Sequence, residues 1–206
     1  MARTVNSRLG PLLPVVVIDD AATARPLAEA LRDGGIRHIE VTLRTPAALD
    51  ALRAMAMVDG VTVGAGTVLT TDQADAATAA GASFLVSPGW NPALGEHMRR
   101  NELSWIPGVA TPSEAMAARA AGFSRLKLFP ITLLGGTAFV DALAAVLPDV
   151  AFAPSGGIRV DQARDYLSRP SVETVGGSWM VSRDLITRRD FAGVTAASRA
   201  AVEAIS

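Results

Sequence analysis

The chain contains no cysteine, which excludes disulfides, thiolate metal sites and cysteine nucleophiles. It has two histidines, His38 and His97, too few to build a metal centre that draws on several imidazoles. There is no excess of either charge. Lys+Arg is 19 and Asp+Glu is 20, so nothing points to nucleic acid or an anionic membrane as a partner. Long hydrophobic runs are missing too. The longest near the start, Leu12 to Ile18, is cut by Pro14 and followed by Asp19-Asp20, far short of a bilayer span. Met1 to Gly10 lacks the apolar stretch of a secretory signal, and the expectation is a cytoplasmic protein.

Lysine is nearly absent. Of the 19 basic residues one is lysine, Lys127, and the rest are arginine. A GC-rich coding bias explains arginine at solvated positions. It also directs attention to the lysine that is left, because a lysine amine can act as a nucleophile and a guanidinium cannot.

What the chain has is apolar material and a period. Half of its 206 residues are hydrophobic, enough for a large core. Short β-branched runs alternate with alanine-rich helical stretches. The predicted strands are 14–19, 38–43, 61–68, 84–88, 104–109, 125–130, 151–155 and 174–180. Helix starts read Thr45-Pro46, Asn91-Pro92 and Thr111-Pro112, with capping-box partners Glu114 for Thr111 and Gln73 for Thr70. Helix ends read Gly34-Gly35, Gly60, Gly81 and Gly122. A final helix is expected between Arg188 and Ile205. Eight β-then-α units allow a doubly wound open sheet or a closed barrel. The regular spacing and the count favour a small α/β (β/α)8 TIM barrel, one domain over 1–206, with an N-terminal capping segment ahead of the first strand.

In such a barrel the chemistry sits at the C-terminal strand ends. Period 2 turns Lys127 and Phe129 inward and Leu126 and Leu128 outward. Lys127 is then either a desolvated nucleophile or an ordinary lysine paired with a carboxylate. Likewise Glu40, Thr42 and Arg44 share the inner face of their strand. Glu40 suits proton transfer and Arg44 suits bidentate binding of a carboxylate, unless Glu40 merely pairs with Arg44 or Lys127. His38, at the start of that strand, is expected to be structural. Gly64 to Thr67 and Ser87 to Gly89 are weaker signals. Two Gly-Gly turns, Gly156-Gly157 and Gly176-Gly177, follow the seventh strand and fall in the eighth. There they either form a backbone phosphate cradle or merely permit tight turns.

These segments in this order resemble the KDPG (2-keto-3-deoxy-6-phosphogluconate) aldolase family. The matching stretches are EVTLRT at 40–45, GAGTV at 64–68, SPG at 87–89, IPG at 106–108, KLFP at 127–130, PSGGI at 154–158 and GGSW at 176–179. The resemblance implies a class I aldolase of the Entner–Doudoroff pathway, a homotrimer acting on small keto acids and aldehydes without a cofactor or metal. By position, Lys127 matches the Schiff-base lysine and Glu40 the general acid/base. Arg44 and Thr67 match residues near the substrate carboxylate. Pro88 and Phe129 match the pocket wall. Ser155, where the family more often has threonine, stands with Gly156, Gly157, Gly177 and Ser178 at the phosphate end. The family usually follows its Phe-Pro with Ala-Glu. This chain has Ile131-Thr132-Leu133-Leu134, which is more apolar and lacks the acid. The other readings are a pyruvate aldolase of a related 2-keto-3-deoxy sugar acid, a phosphate-binding isomerase or epimerase without a covalent step, and a non-catalytic sugar-phosphate-binding barrel.

Overall fold

A computed structural model describes residues 8–206. The elements alternate along the chain. They begin β1 (Leu12–Val16), α1 (Ala24–Asp33), β2 (His38–Thr42), α2 (Ala48–Ala56), β3 (Thr62–Gly66) and α3 (Thr71–Ala79). Next come β4 (Phe84–Val86), α4 (Pro92–Arg100), β5 (Trp105–Ile106), β6 (Gly108–Val109), α5 (Pro112–Ala120) and β7 (Arg125–Leu128). The last are α6 (Thr137–Val146), β8 (Ala151–Pro154), α7 (Val160–Leu167), β9 (Val175–Gly177), α8 (Arg183–Thr187) and α9 (Phe191–Ile205). All strand pairings are parallel. Six strands run β5-β4-β3-β2-β1-β9 and three run β6-β7-β8. Isolated bridges join Phe152 to Val172 and Ser155 to Gly176.

Most strands are buried on both faces and largely apolar, while β2 and β7 carry Glu40, Thr42 and Lys127 between their apolar residues. Alternate residues go to two separate cores. Leu12 and Val16, Ile39 and Val41, Leu85 and Phe152 pack among the helices. Leu13, Phe84, Val86, Ile106 and Ala153 form a second, smaller cluster with Leu9. Burying a side chain such as Ile39 or Val41 completely stabilises the fold by about 1.5–3 kcal/mol.

Several boundaries differ from the sequence expectation. The expected fifth strand is two pieces, since Pro107 between them has no N–H for the ladder. Its carbonyl still accepts from the Lys127 N–H at 2.8 Å. The first strand starts at Leu12 rather than Pro14, and the eighth gives way to a 3-10 turn at Trp179–Val181. Thr45 does not cap α2, whose N-cap position is Ala47. The Thr45 hydroxyl instead donates to the Ile18 carbonyl, a tertiary partner that outcompetes the local one. Gln73 reaches past Thr70 to accept from the Leu69 N–H at 2.7 Å. The Thr111–Glu114 capping box and the Asn91 cap form as expected. Gly81 and Gly122 end their helices in the left-handed region, with φ of 99° and 97°. The final helix forms as α9 but starts at Phe191 rather than Arg188, after the separate short helix α8 and a turn in which Arg189 has φ of 54°. The N-terminal capping segment lies mostly outside the described residues. Leu9, the buried residue before β1, donates its N–H to Glu173 at 2.6 Å.

Candidate active site

β2 and β7 bring the two reactive groups together. Lys127 Nζ donates to Glu40 Oε1 at 3.1 Å and lies 3.4 Å from Oε2, across a separation of 87 residues. Both are buried, with residue exposures of 7% and 1%. The ammonium also lies 5.4 Å from the Phe129 ring centroid. A buried pair of this kind is expensive to desolvate and contributes little to stability by itself, which favours a reason in chemistry. The pair faces open space. It sits in the wall of a cavity of about 610 Å3, a size suited to a small metabolite.

Glycine makes room for the pair. A Cβ at Gly66 would overlap the Glu40 carboxylate. Side chains around it are anchored in turn. Thr42 donates its hydroxyl to the Val16 carbonyl at 2.8 Å and accepts from Arg44 Nε at 3.3 Å, which orients the guanidinium after β2. Thr67 follows β3 with φ of 60°. A β-branched residue held there stores about 1–3 kcal/mol of strain, as is common where a wall must be shaped for a ligand. Ser87 donates to the Gly89 carbonyl at 2.8 Å and fixes the turn that presents Pro88.

The other wall is backbone. Gly156 and Gly157 have φ of 98° and 84°, conformations that a side chain would oppose. A Cβ at Gly157 would overlap Thr132, and one at Gly177 would overlap the Trp179 ring. Thr132 ties the departing segment to this turn by donating its hydroxyl to the Gly156 carbonyl at 2.9 Å. In the same segment Ile131 is fully buried and Leu133 is 83% exposed.

Lys127, Glu40, Arg44, Thr67, Pro88, Phe129, Ser155, Gly156, Gly157, Gly177 and Ser178 all line this one cavity. His38 lies outside it. Its Nδ1 accepts from the Gly10 N–H at 3.0 Å. Burial and, secondarily, the Arg125 guanidinium hold it below its ordinary value of 6.5, with Glu173 opposing. His97 is on α4, paired with Asp75 at 2.8 Å. Among the described residues no three His, Asp or Glu side chains group as metal ligands.

Sequence reasoning missed part of the wall. Val15 and Val17 line the cavity, and the same period-2 argument applied to the first strand would have found them. Val181 comes from the 3-10 turn, which has no sequence signal of its own, and Trp179 opens that turn within the GGSW stretch, which gave it no role. Arg183 lines the cavity as well, although an arginine at a helix start reads as surface.

The arrangement offers an amine for addition to a carbonyl, a carboxylate within one hydrogen bond of it, an arginine and a set of backbone donors for anions. Comparison with known proteins agrees. The profile of the family described as KDPG and KHG aldolase matches residues 5–197. The 2-dehydro-3-deoxy-phosphogluconate aldolase of Zymomonas mobilis is 44% identical over 194 residues, 94% of this chain and 92% of the relative. The KHG/KDPG aldolase of Escherichia coli K12 is 42% identical over 195 residues, 94% and 92% of the two chains. The crystal structure of the Legionella pneumophila KDPG aldolase, with pyruvate captured as a covalent carbinolamine, superposes with a TM-score of 0.91. It is 40% identical over 94% of this chain and 95% of its own.

Proposed function

The chain belongs to the KDPG and KHG aldolase family, and from that membership we propose that it is a class I aldolase that cleaves 2-keto-3-deoxy-6-phosphogluconate to pyruvate and glyceraldehyde 3-phosphate. The observation that carries the reading is the buried Lys127–Glu40 pair in the cavity wall. Lys127 in its neutral form adds through Nζ to the C2 ketone. Glu40, directly or through water, protonates the departing hydroxyl of the carbinolamine, and an iminium forms. The iminium accepts the electron pair of the C3–C4 bond as the C4 hydroxyl loses its proton to Glu40. The aldehyde leaves. The enamine is protonated at C3, and water releases pyruvate and the free amine. The carbinolamine captured in the Legionella enzyme is the first covalent species of this scheme.

The remaining positions are proposed from the family resemblance, and their chemistry suits the roles. Arg44 and Thr67 hold the substrate carboxylate. Pro88 and Phe129 wall the pyruvyl carbons. Ser155, the N–H groups of Gly156, Gly157 and Gly177, and Ser178 take the phosphate end. 4-Hydroxy-2-oxoglutarate presents the same keto acid to Lys127, and we include it as a second substrate on the strength of the E. coli relative's name. An isomerase without a covalent step has no use for a buried amine beside the reacting carbon. A non-catalytic binder would not need to keep the ion pair.

We also infer that the two sheets are arcs of one closed eight-stranded barrel forming a single domain over 1–206. In support, only Pro107 separates β5 from β6, and the Ser155–Gly176 bridge links the β8 end to β9. The two alternating cores fit a filled barrel with an outer ring of helices. No helix among the described residues is long and apolar enough to cross a membrane. We place the enzyme in the cytoplasm as a homotrimer in the Entner–Doudoroff route. Exposed Met57, Leu69 and Met116 offer apolar surface for such contacts.

The test is borohydride reduction in the presence of pyruvate, followed by peptide mapping. A three-carbon adduct on Lys127 is expected, and none in Lys127→Ala. A Lys127→Ala enzyme with full activity would refute the reading.

A further inference from the structure

The cavity presents three cations: Lys127, Arg44 and Arg183. Lys127 is paired with Glu40. Arg44 leans on Thr42 and forms no ion pair among the described residues, so it is free for an incoming carboxylate. Arg183 is in a different state. At the first turn of α8, its Nη2 donates to both carboxylate oxygens of Asp19, at 3.0 and 2.8 Å. Asp19 follows β1 and lines the adjoining outer space together with Arg44 and Arg183. The Asp19–Arg183 pair therefore joins the end of β1 to α8 at the rim of the cavity.

Charge accounting gives the pair a meaning. The proposed phosphate end contains backbone N–H groups, Ser155 and Ser178, all neutral, although a phosphate brings close to two negative charges. Arg183 follows Ser178 by five residues and Ser182 by one, and both serines line the same cavity. Asp19 without Arg183 would repel an approaching anion. Both partners are largely exposed, with side-chain exposures of 66% and 61%, so their bond is weak and easily exchanged. A phosphate offers a guanidinium three acceptor oxygens at higher charge than a carboxylate.

We propose that Arg183 is a specificity-determining residue that exchanges Asp19 for the phosphate of the substrate. The exchange masks the Asp19 charge in the empty enzyme and supplies the phosphate end with its one cation in the complex. This rests on the aldolase reading above.

The experiment compares kcat/KM for 2-keto-3-deoxy-6-phosphogluconate and for its unphosphorylated counterpart. The variants are Arg183→Ala, Arg183→Lys and Asp19→Asn, with Arg119→Ala as a charge-matched surface control. Arg183→Ala should lower the phosphorylated-to-unphosphorylated ratio about tenfold, carried by KM and reduced at high salt. Arg183→Lys should keep most of the ratio. Asp19→Asn, which removes the competing carboxylate, should raise the ratio about two- to threefold at low salt. An unmoved ratio in Arg183→Ala, an equal loss on both substrates, or an Asp19→Asn variant that behaves like Arg183→Ala would overturn the proposal. Borohydride trapping of pyruvate on the wild-type enzyme separates the two readings. Its absence would sink the aldolase assignment, whereas its presence with an unmoved ratio would sink only the role of Arg183.

Discussion

Gly66 and Glu40 share one volume: the space that a Cβ on Gly66 would occupy is filled by the Glu40 carboxylate. The two residues are near neighbours across β2 and β3, where Thr42 pairs with Gly66 and Glu40 with Gly64. The glycine therefore sets where the carboxylate stands relative to Lys127.

Gly66→Ala should consequently behave as an active-site mutation although it touches no substrate. Moving the carboxylate by about an ångström is expected to lower kcat by roughly 100-fold. Circular dichroism should stay that of the wild type. A Gly66→Ala enzyme with wild-type kcat would show that the carboxylate position is not critical.

Lys127→Met should reduce stability as well as abolish turnover. It leaves Glu40 buried without its partner, and the loss is expected to be about 3 kcal/mol, the low end for a broken buried pair because this one borders a cavity. Adding Glu40→Leu to Lys127→Met should recover most of that loss. Urea midpoints of the wild type, the single and the double variant decide it.

His38 should give the fold a dependence on mildly acidic pH. Burial and Arg125 hold it below 6.5 in the folded state, so the unfolded chain binds this proton first. Its contribution is complete above 6.5, and is lost as pH falls from there through the lowered folded value, with no further change below it. Protonation also removes the acceptor used by the Gly10 N–H. Urea unfolding from pH 7.5 to 5 should show this decline, and His38→Gln should flatten it.

Glu114 should matter to stability and not to catalysis. Its Oε2 accepts from the N–H groups of Ala110 and Thr111 at 2.7 and 3.0 Å, closing the start of α5. Glu114→Ala is expected to destabilise by about 1 kcal/mol, a typical figure for a lost helix cap. Glu114→Gln, which keeps the acceptor, should lose less. Thermal melts and aldolase assays on the same samples separate the two effects.

Strand and helix identity were legible because they depend on local chemistry. β2 alternates outward Ile39 and Val41 with inward Glu40 and Thr42, and that pattern states which face meets the helices. Asn91 and Thr111 announce their helices because their nearest partners are backbone N–H groups three residues away or fewer. Thr45 was misread since its hydroxyl has a better partner on another strand end, which no local pattern reveals. The wall formed by Val181 and the rim formed by Arg183 escaped for the same reason. Both depend on where a 3-10 turn and a five-residue helix point after β9. Lys127 and Glu40 were readable as inward-facing residues able to pair, but the choice of Lys127 over Arg44 as the partner of Glu40, at 3.1 Å, is a product of the whole fold.

Glu40 belongs to the six-stranded sheet and Lys127 to the three-stranded one. The reactive pair thus joins the two sheets, whose seams lie at Pro107 and at the Ser155–Gly176 bridge, and neither sheet alone carries a working centre. Turnover is for this reason a finer gauge of how the sheets are seated than any spectroscopic signal from helices or strands. Early loosening at either seam, during heating or in mild denaturant, should silence the enzyme while its secondary structure is still intact.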